Sequence, residues 1–172
     1  MPPVPQPDGV VHGTEGDDAI GLEYVDPQGD QLDNADQVFP GRGPFDDIVV
    51  AGGGNDLVFG GDGSDTIYGG EGEDTLNGGD GDDVLIGGDG NDILVSNGGN
   101  NLMIGGGPNA PGEADVADAG DNLFYSGQGS DTMIGGNGDD TFFLQEFFGS
   151  HVIDGGGDRE DGGGAVAVVF QG

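Results

Sequence analysis

The chain has no cysteine, no tryptophan and no lysine, and Arg42 and Arg159 are its only basic side chains apart from two histidines. Without cysteine there is no disulfide, no thiol nucleophile and no thiolate metal site, so any stapling of the fold comes from elsewhere. A chain this poor in cations repels phosphate backbones and anionic lipid, which argues against nucleic acid and against a membrane surface as partners. No apolar run approaches the ~20 residues that span a bilayer, so membrane insertion is not expected. The opening stretch MPPVPQPDG lacks a basic start and an apolar core, so no cleavable secretion signal is expected there. His12 and His151 belong to no HExxH motif, and no G-x-S-x-G elbow is present. Catalysis within the chain is not expected.

Acid and glycine are what the chain has in excess. It carries 34 Asp and Glu for a formal charge of −32 on 172 residues, together with 42 glycines. High net charge and low hydrophobicity are the usual signature of disorder, and glycine raises the entropy that folding must overcome. The apolar residues, however, recur in step with the carboxylates. Residues 60–95 read GGDGSDTIY GGEGEDTLN GGDGDDVLI GGDGNDILV, with aspartate at Asp65, Asp74, Asp83 and Asp92. Periodicity on this scale points to stacked repeats.

Registered on G-G-x-G-x-D-x-U-x, where U is a large apolar residue, the chain gives five uninterrupted blocks starting at 51, 60, 69, 78 and 87. Their sixth positions are Asp56, Asp65, Asp74, Asp83 and Asp92, and their eighth are Val58, Ile67, Leu76, Leu85 and Leu94. Looser copies begin at Gly13 (Asp18, Ile20), Arg42 (Asp47, Val49), Ser96 (Asn101, Met103), Ala117 (Asn122, Phe124), Ser126 (Asp131, Met133) and Gly135 (Asp140, Phe142). Glycine at positions one, two and four permits positive φ and close approach, which makes the first six residues a tight loop. The last three residues are β-branched or apolar and suit a short strand. Two blocks per coil then stack the strands into two parallel sheets, with the eighth-position residues sealed between them and the loops along both edges.

That stacking brings Asp65 near Asp83 on one edge and Asp56, Asp74 and Asp92 together on the other. Bare carboxylates so placed repel one another, and the carbonyls of the glycine loops add further negative dipoles. Hard oxygen donors without nitrogen or sulfur favour calcium over zinc or copper. The blander reading is a solenoid, or a linker, whose aspartates merely cap turns.

The blocks resemble the calcium-binding nonapeptides of RTX (repeats-in-toxin) proteins, closely over about residues 42–104 and 117–143 and loosely at 13–21 and 144–156. The resemblance implies an all-β parallel β-roll with several calcium ions as its cofactor, bridged by aspartates of stacked loops. It assigns to one such site the carbonyls of Gly61 and Gly63, those of Gly78 and Asp80 on the loop 18 residues later, and the carboxylates of Asp65 and Asp83. Carried along the repeats, the side-chain ligands are Asp18, Asp47, Asp56, Asp65, Asp74, Asp83, Asp92, Asn101, Asn122, Asp131 and Asp140. Further glycine donors are Gly52, Gly54, Gly70, Gly72, Gly79, Gly81, Gly88, Gly90, Gly127, Gly129, Gly136 and Gly138. Asn101 and Asn122 keep an amide oxygen but no charge, so sites that use them are expected to be weaker or to hold no ion.

Three regions follow: residues 1–41 with one loose repeat and an acidic loop, a roll over 42–143 interrupted at about 105–116, and a C-terminal cap over 144–172. Asp26, Asp30, Asp33 and Asp36 in the stretch 22–41 read either as an exposed acidic loop or as an extra calcium site, without EF-hand spacing. Phe142, Phe143, Phe147 and Phe148 read as a plug for the open end of the core, and AVAVVFQG as a last strand. Positions seven and nine point outward, yet Ile48, Val50, Tyr68, Val84, Ile86, Leu102 and Ile104 form an apolar stripe on one face. Either the 22–41 segment or the C-terminal strand covers it, or a protein partner or second copy does. The resemblance further implies a secreted, extracellular bacterial module exported by a type I system and folding when it meets calcium outside. Two other readings stay open: the C-terminal domain of a larger secreted hydrolase or toxin, and a surface-layer or adhesin element.

Overall fold

A computed structural model describes residues 10–21, 24–28, 30–31, 45–107, 120–145, 149–155 and 167–171. Among them there is no helix, and every strand pairing is parallel. The strands are β1 (Val11–His12), β2 (Ala19–Ile20), β3 (Ile48–Gly53), β4 (Leu57–Asp62), β5 (Thr66–Glu71), β6 (Thr75–Asp80), β7 (Val84–Asp89), β8 (Ile93–Val95) and β9 (Leu102–Ile104). They continue as β10 (Leu123–Ser126), β11 (Thr132–Ile134), β12 (Thr141–Gln145), β13 (Val152–Asp154) and β14 (Ala167–Gln171). Odd strands up to β13 build one sheet, while β14 and the even strands build the other, each in order along the stack. Two blocks make one coil, as the nine-residue period requires, and the result is a parallel β-solenoid of the β-roll type.

The core is the row of eighth positions. Val49, Val58, Ile67, Leu76, Leu85, Leu94, Met103, Phe124, Met133 and Phe142 are fully buried, with Val11 and Ile20 closing the row at one end. Neighbouring side chains point to opposite faces in a strand, so one apolar residue per block suffices to fill the narrow space between two sheets. Phe124 and Phe142 stack at 4.6 Å between ring centroids.

Strands β3 to β7 are longer than the three residues expected. They run on through positions one to three of the next block, because those glycines pair along the stack as Gly52 with Gly70 and Gly70 with Gly88. The turn proper is therefore confined to the residues around positions four to six.

Register holds at 18 residues through the uninterrupted blocks. It widens to 38 at the start, where Val11 pairs with Val49, to 30 where Ile93 pairs with Leu123, and to 20 where Thr132 pairs with Val152. The strands stay stacked across all three changes of register. In the second case Gly105 stands where the position-one glycines stand, so the register changes between Gly107 and Gly120.

The ends differ from the expectations. Asp26 and Asp30 are buried rather than exposed, with Asp26 accepting hydrogen bonds from the amides of His12, Gln28 and Asp30. Tyr24 packs on the core and donates its hydroxyl to the His12 carbonyl at 2.8 Å, so this segment closes the N-terminal end of the roll. Asp33 and Asp36 lie outside the described residues. At the other end Phe142 is an ordinary core residue and Phe143 stacks outside on Tyr125 at 4.8 Å, so neither is a plug. Phe147 and Phe148 lie outside the described residues. The last strand, β14, pairs with β12 in the even sheet, which removes it as a cover for the apolar stripe on the odd one.

Candidate metal centre

The sixth-position side chains form two ladders, one on each edge. On one edge the backbone amide of Asp47 donates to Oδ1 of Asp65, that of Asp65 to Asp83, that of Asp83 to Asn101 and that of Asn101 to Asp131, at 2.8–3.0 Å. On the other the same bond runs from Asp18 to Asp56, Asp74, Asp92, Asn122 and Asp140 in turn, also at 2.8–3.0 Å. Each carboxylate thus spends one oxygen on holding the loop before it, and its second oxygen turns into the loop.

Glycine makes room for that oxygen. A Cβ at Gly60, Gly69, Gly78, Gly87 or Gly135 would collide with Oδ2 of the aspartate five residues on, namely Asp65, Asp74, Asp83, Asp92 or Asp140. Beside Gly60, Gly69 and Gly87 the same spot is shared with a carbonyl oxygen of the next loop on that edge, from Gly78, Gly87 and Gly105 respectively. A carboxylate oxygen and a carbonyl oxygen converging on one bare glycine repel each other, and a hard cation between them reverses the sign.

Burial makes this costly. Asp56, Asp74 and Asp83 are 3 % exposed or less, and the Oδ2 atoms of all three are buried without a hydrogen-bond donor. Burial pushes the carboxyls of Asp74 and Asp83 up to about 6, against the pull of one backbone amide each and with neighbouring carboxylates adding to the rise. Asp56 is raised for the same reasons. Buried carboxylates in this state want a counter-charge, and the donors at hand are all oxygen. The residues fit calcium, which when bound supplies positive charge to several oxygens at once.

The family comparison agrees. The family model of the RTX calcium-binding nonapeptide repeat (4 copies) matches residues 41–76, 77–107 and 116–144, more than half of the chain. The chain belongs to the RTX calcium-binding repeat family. A search of the curated proteins finds no match. An RTX β-roll is a calcium-binding repeat architecture and not a catalytic fold.

Of the RTX donor set, Asp65 and Gly78 meet at one spot, and Asp83 Oδ1 accepts a hydrogen bond from the backbone amide of Asp65. The carbonyl of Asp80 accepts the amide of Gly63 at 2.9 Å. Asp18 stands on its ladder, but its Oδ2 is taken by the amide and hydroxyl of Thr14.

Asn101 and Asn122 change the chemistry without breaking the ladder. Because each gives Oδ1 to the amide behind it, its NH2 must face where Oδ2 faces elsewhere. Asn122 Nδ2 donates to the carbonyls of Gly120 and Gly135, and Asn101 Nδ2 to the carbonyl of Gly98 and to Asp131 Oδ1. At both positions a donor stands where a carboxylate oxygen stands in the other loops.

His151 is the residue that sequence reasoning missed. It stands at position six of the last coil, since Val152 pairs with Thr132 and the Asp131 amide reaches His151 Nδ1 at 3.3 Å. The signal was present in SHVID, which matches x-D-x-U-x with histidine for aspartate, hidden by two extra residues. Ser126, Asp131 and His151 are the residue types of a hydrolase triad, but the wiring is different. One nitrogen, Nδ1, faces both Ser126 Oγ and Asp131 Oδ2, and Nε2 is buried without a hydrogen bond. A nucleophile needs the two ring nitrogens on two different partners.

Proposed function

We propose that the chain is a secreted module that folds on binding calcium, with Asp56, Asp65, Asp74, Asp83, Asp92 and Asp140 and the facing glycine carbonyls as its ligands, and that it has no catalytic role of its own. The observation that carries this reading is the convergence of a buried Oδ2 and a carbonyl oxygen on the position-one glycines Gly60, Gly69 and Gly87. A chain with a charge of −32 cannot stack these loops against their own repulsion, so in low calcium it stays unfolded and passes an export channel as an extended chain. Type I export and an extracellular setting follow from the family resemblance, and millimolar calcium outside the cell then supplies the folding free energy. Calcium titration followed by circular dichroism tests it. The chelated protein is expected to lack most β signal and to gain it cooperatively; a folded spectrum in excess chelator would sink the proposal.

The apolar stripe supports an interaction role beside the folding one. Ile48, Val84 and Leu102 lie in one row across the sheet with Thr66 between the first two, and Val50, Tyr68, Ile86 and Ile104 form an unbroken row on adjacent strands. All are half-buried except Ile86, which is 7 % exposed and lies under Gly107. The outer part of this stripe is the contact surface for a protein partner or a second copy. Val84→Lys with Ile86→Lys should lower stability or abolish association in saturating calcium. A double variant that binds calcium normally, stays monomeric and melts like the parent would show the stripe to be merely wet.

A further inference from the structure

Building on the calcium reading above, we infer that the loop of Asp131 is sealed by the protein's own side chains and takes no calcium, with Ser126 and His151 as the residues that decide this. Position one is glycine beside Asp65, Asp74, Asp83, Asp92 and Asp140, and any Cβ there would sit on the carboxylate. Beside Asp131 it is Ser126, whose hydroxyl occupies the equivalent space and donates to Asp131 Oδ2 at 2.5 Å. The other oxygen, Oδ1, accepts both the backbone amide and the side-chain NH2 of Asn101, each at 2.9 Å. Both oxygens of this carboxylate are therefore satisfied inside the protein, unlike those of Asp74 and Asp83, whose Oδ2 atoms accept nothing.

The next rung supplies no second carboxylate. His151 Nδ1 lies 3.4 Å from Asp131 Oδ2 and 3.3 Å from Ser126 Oγ, with its ring largely buried. An ion here would meet one carboxylate, already hydrogen-bonded, and an imidazole nitrogen that calcium binds poorly. Calcium would have to break the Ser126 hydrogen bond in a dry site and gain less charge than the Asp65 and Asp83 pair offers. The edge that begins with Asp47 thus ends in a stop made of hydrogen bonds.

Counting ions on the full chain tests this, by native mass spectrometry in saturating calcium with circular dichroism to confirm folding. Asp131→Asn should leave the ion count of the parent unchanged, whereas Asp74→Asn should lower it by at least one. The double variant Ser126→Gly with His151→Asp should gain one ion; should it fail to fold, the Asp131→Asn count still decides. Loss of an ion in Asp131→Asn overturns the inference and leaves the calcium reading intact. A parent that binds no calcium, or an unchanged count in Asp74→Asn, overturns the calcium reading and the inference with it.

Discussion

Between residues 48 and 95 every loop repeats the same contacts at one spacing, while between 96 and 155 the spacing changes twice and amides, a hydroxyl and an imidazole stand where carboxylates stood. The strands stack equally well in both stretches. What differs is how the loop interiors are neutralised. In the first stretch like meets like, a carboxylate against a carbonyl, and a cation between them would reverse the sign. In the second, donors carried by the chain face the acceptors at Asn101, Asn122 and Asp131, while Asp140 keeps the carboxylate arrangement of the first. One backbone geometry is served by two chemistries, and the ladder bond from amide to Oδ1 is the element they share.

The most severe test of that division is stepwise removal of calcium followed by amide exchange. Protection across residues 57–95 should fall first and by orders of magnitude, because each of those loops loses its counter-charge. Residues 96–107 and 120–134 should lose protection later, being held by Asn101, Asn122 and Ser126. Simultaneous loss in both stretches would show that the roll answers to calcium as one unit.

A glycine in each stretch separates backbone need from composition. Gly70 has φ 117°, and a Cβ on it would strike the carbonyl of Gly52. Gly70→Ala should cost about 3 kcal/mol or more, from a forced positive φ and a backbone clash that no rotamer relieves. Gly98 has open space, with Asp80 Oδ1 at 3.8 Å as the nearest atom, so Gly98→Ala should stay within about 0.5 kcal/mol. Thermal melts in saturating calcium read both, and equal shifts would contradict the close stacking.

A smaller effect separates two aspartates on one edge. Asp74 holds the amide of Asp56 and is itself held by Asp92, so carboxylates flank it on both sides. Asp140 is preceded by the neutral Asn122. Asp74→Ala should damage two calcium sites and Asp140→Ala about one, each also losing a charge-assisted hydrogen bond of about 1.5–3 kcal/mol. Calcium midpoints shifted equally by the two substitutions would rule out ligands shared between sites.

Much of the roll was legible because one contact recurs every nine residues. Leu76 is buried for the same reason as Ile67 and Leu85, so a rule read once applies many times. The ladder partners of Asp56, Asp74 and Asp92 followed from the same arithmetic. Contacts made once were not legible. His151 joins the ladder only because two extra residues are absorbed before it, and Ser126 matters only because its hydroxyl falls where Gly60, Gly69, Gly78, Gly87 and Gly135 leave room for a carboxylate oxygen. Asp26 reads as part of an exposed acidic loop or of an extra calcium site and is buried, since its amide partners come from a turn and from His12, which no periodicity announces.

The mildest probe is pH, and its sign separates the two stretches again. Asp74 and Asp83 sit at about 6 in the folded chain because burial disfavours their charge, against an ordinary value of 3.8. Without calcium the folded state therefore holds protons that the unfolded chain has released. The stability this gives is fully present below 3.8 and is lost as pH rises through about 6. In chelator, β signal should be greater at about pH 5 than at about pH 8. In calcium the same protons compete with the ion, so the calcium midpoint should rise as pH falls over that range. Loops whose sixth position is Asn101 or Asn122 carry no titrating group there, so amide exchange in 98–107 should respond less than in 66–89. Weaker structure in acid than in base, in the presence of chelator, would mean that burial does not govern these two aspartates and that the repulsion assigned to their loops lies elsewhere.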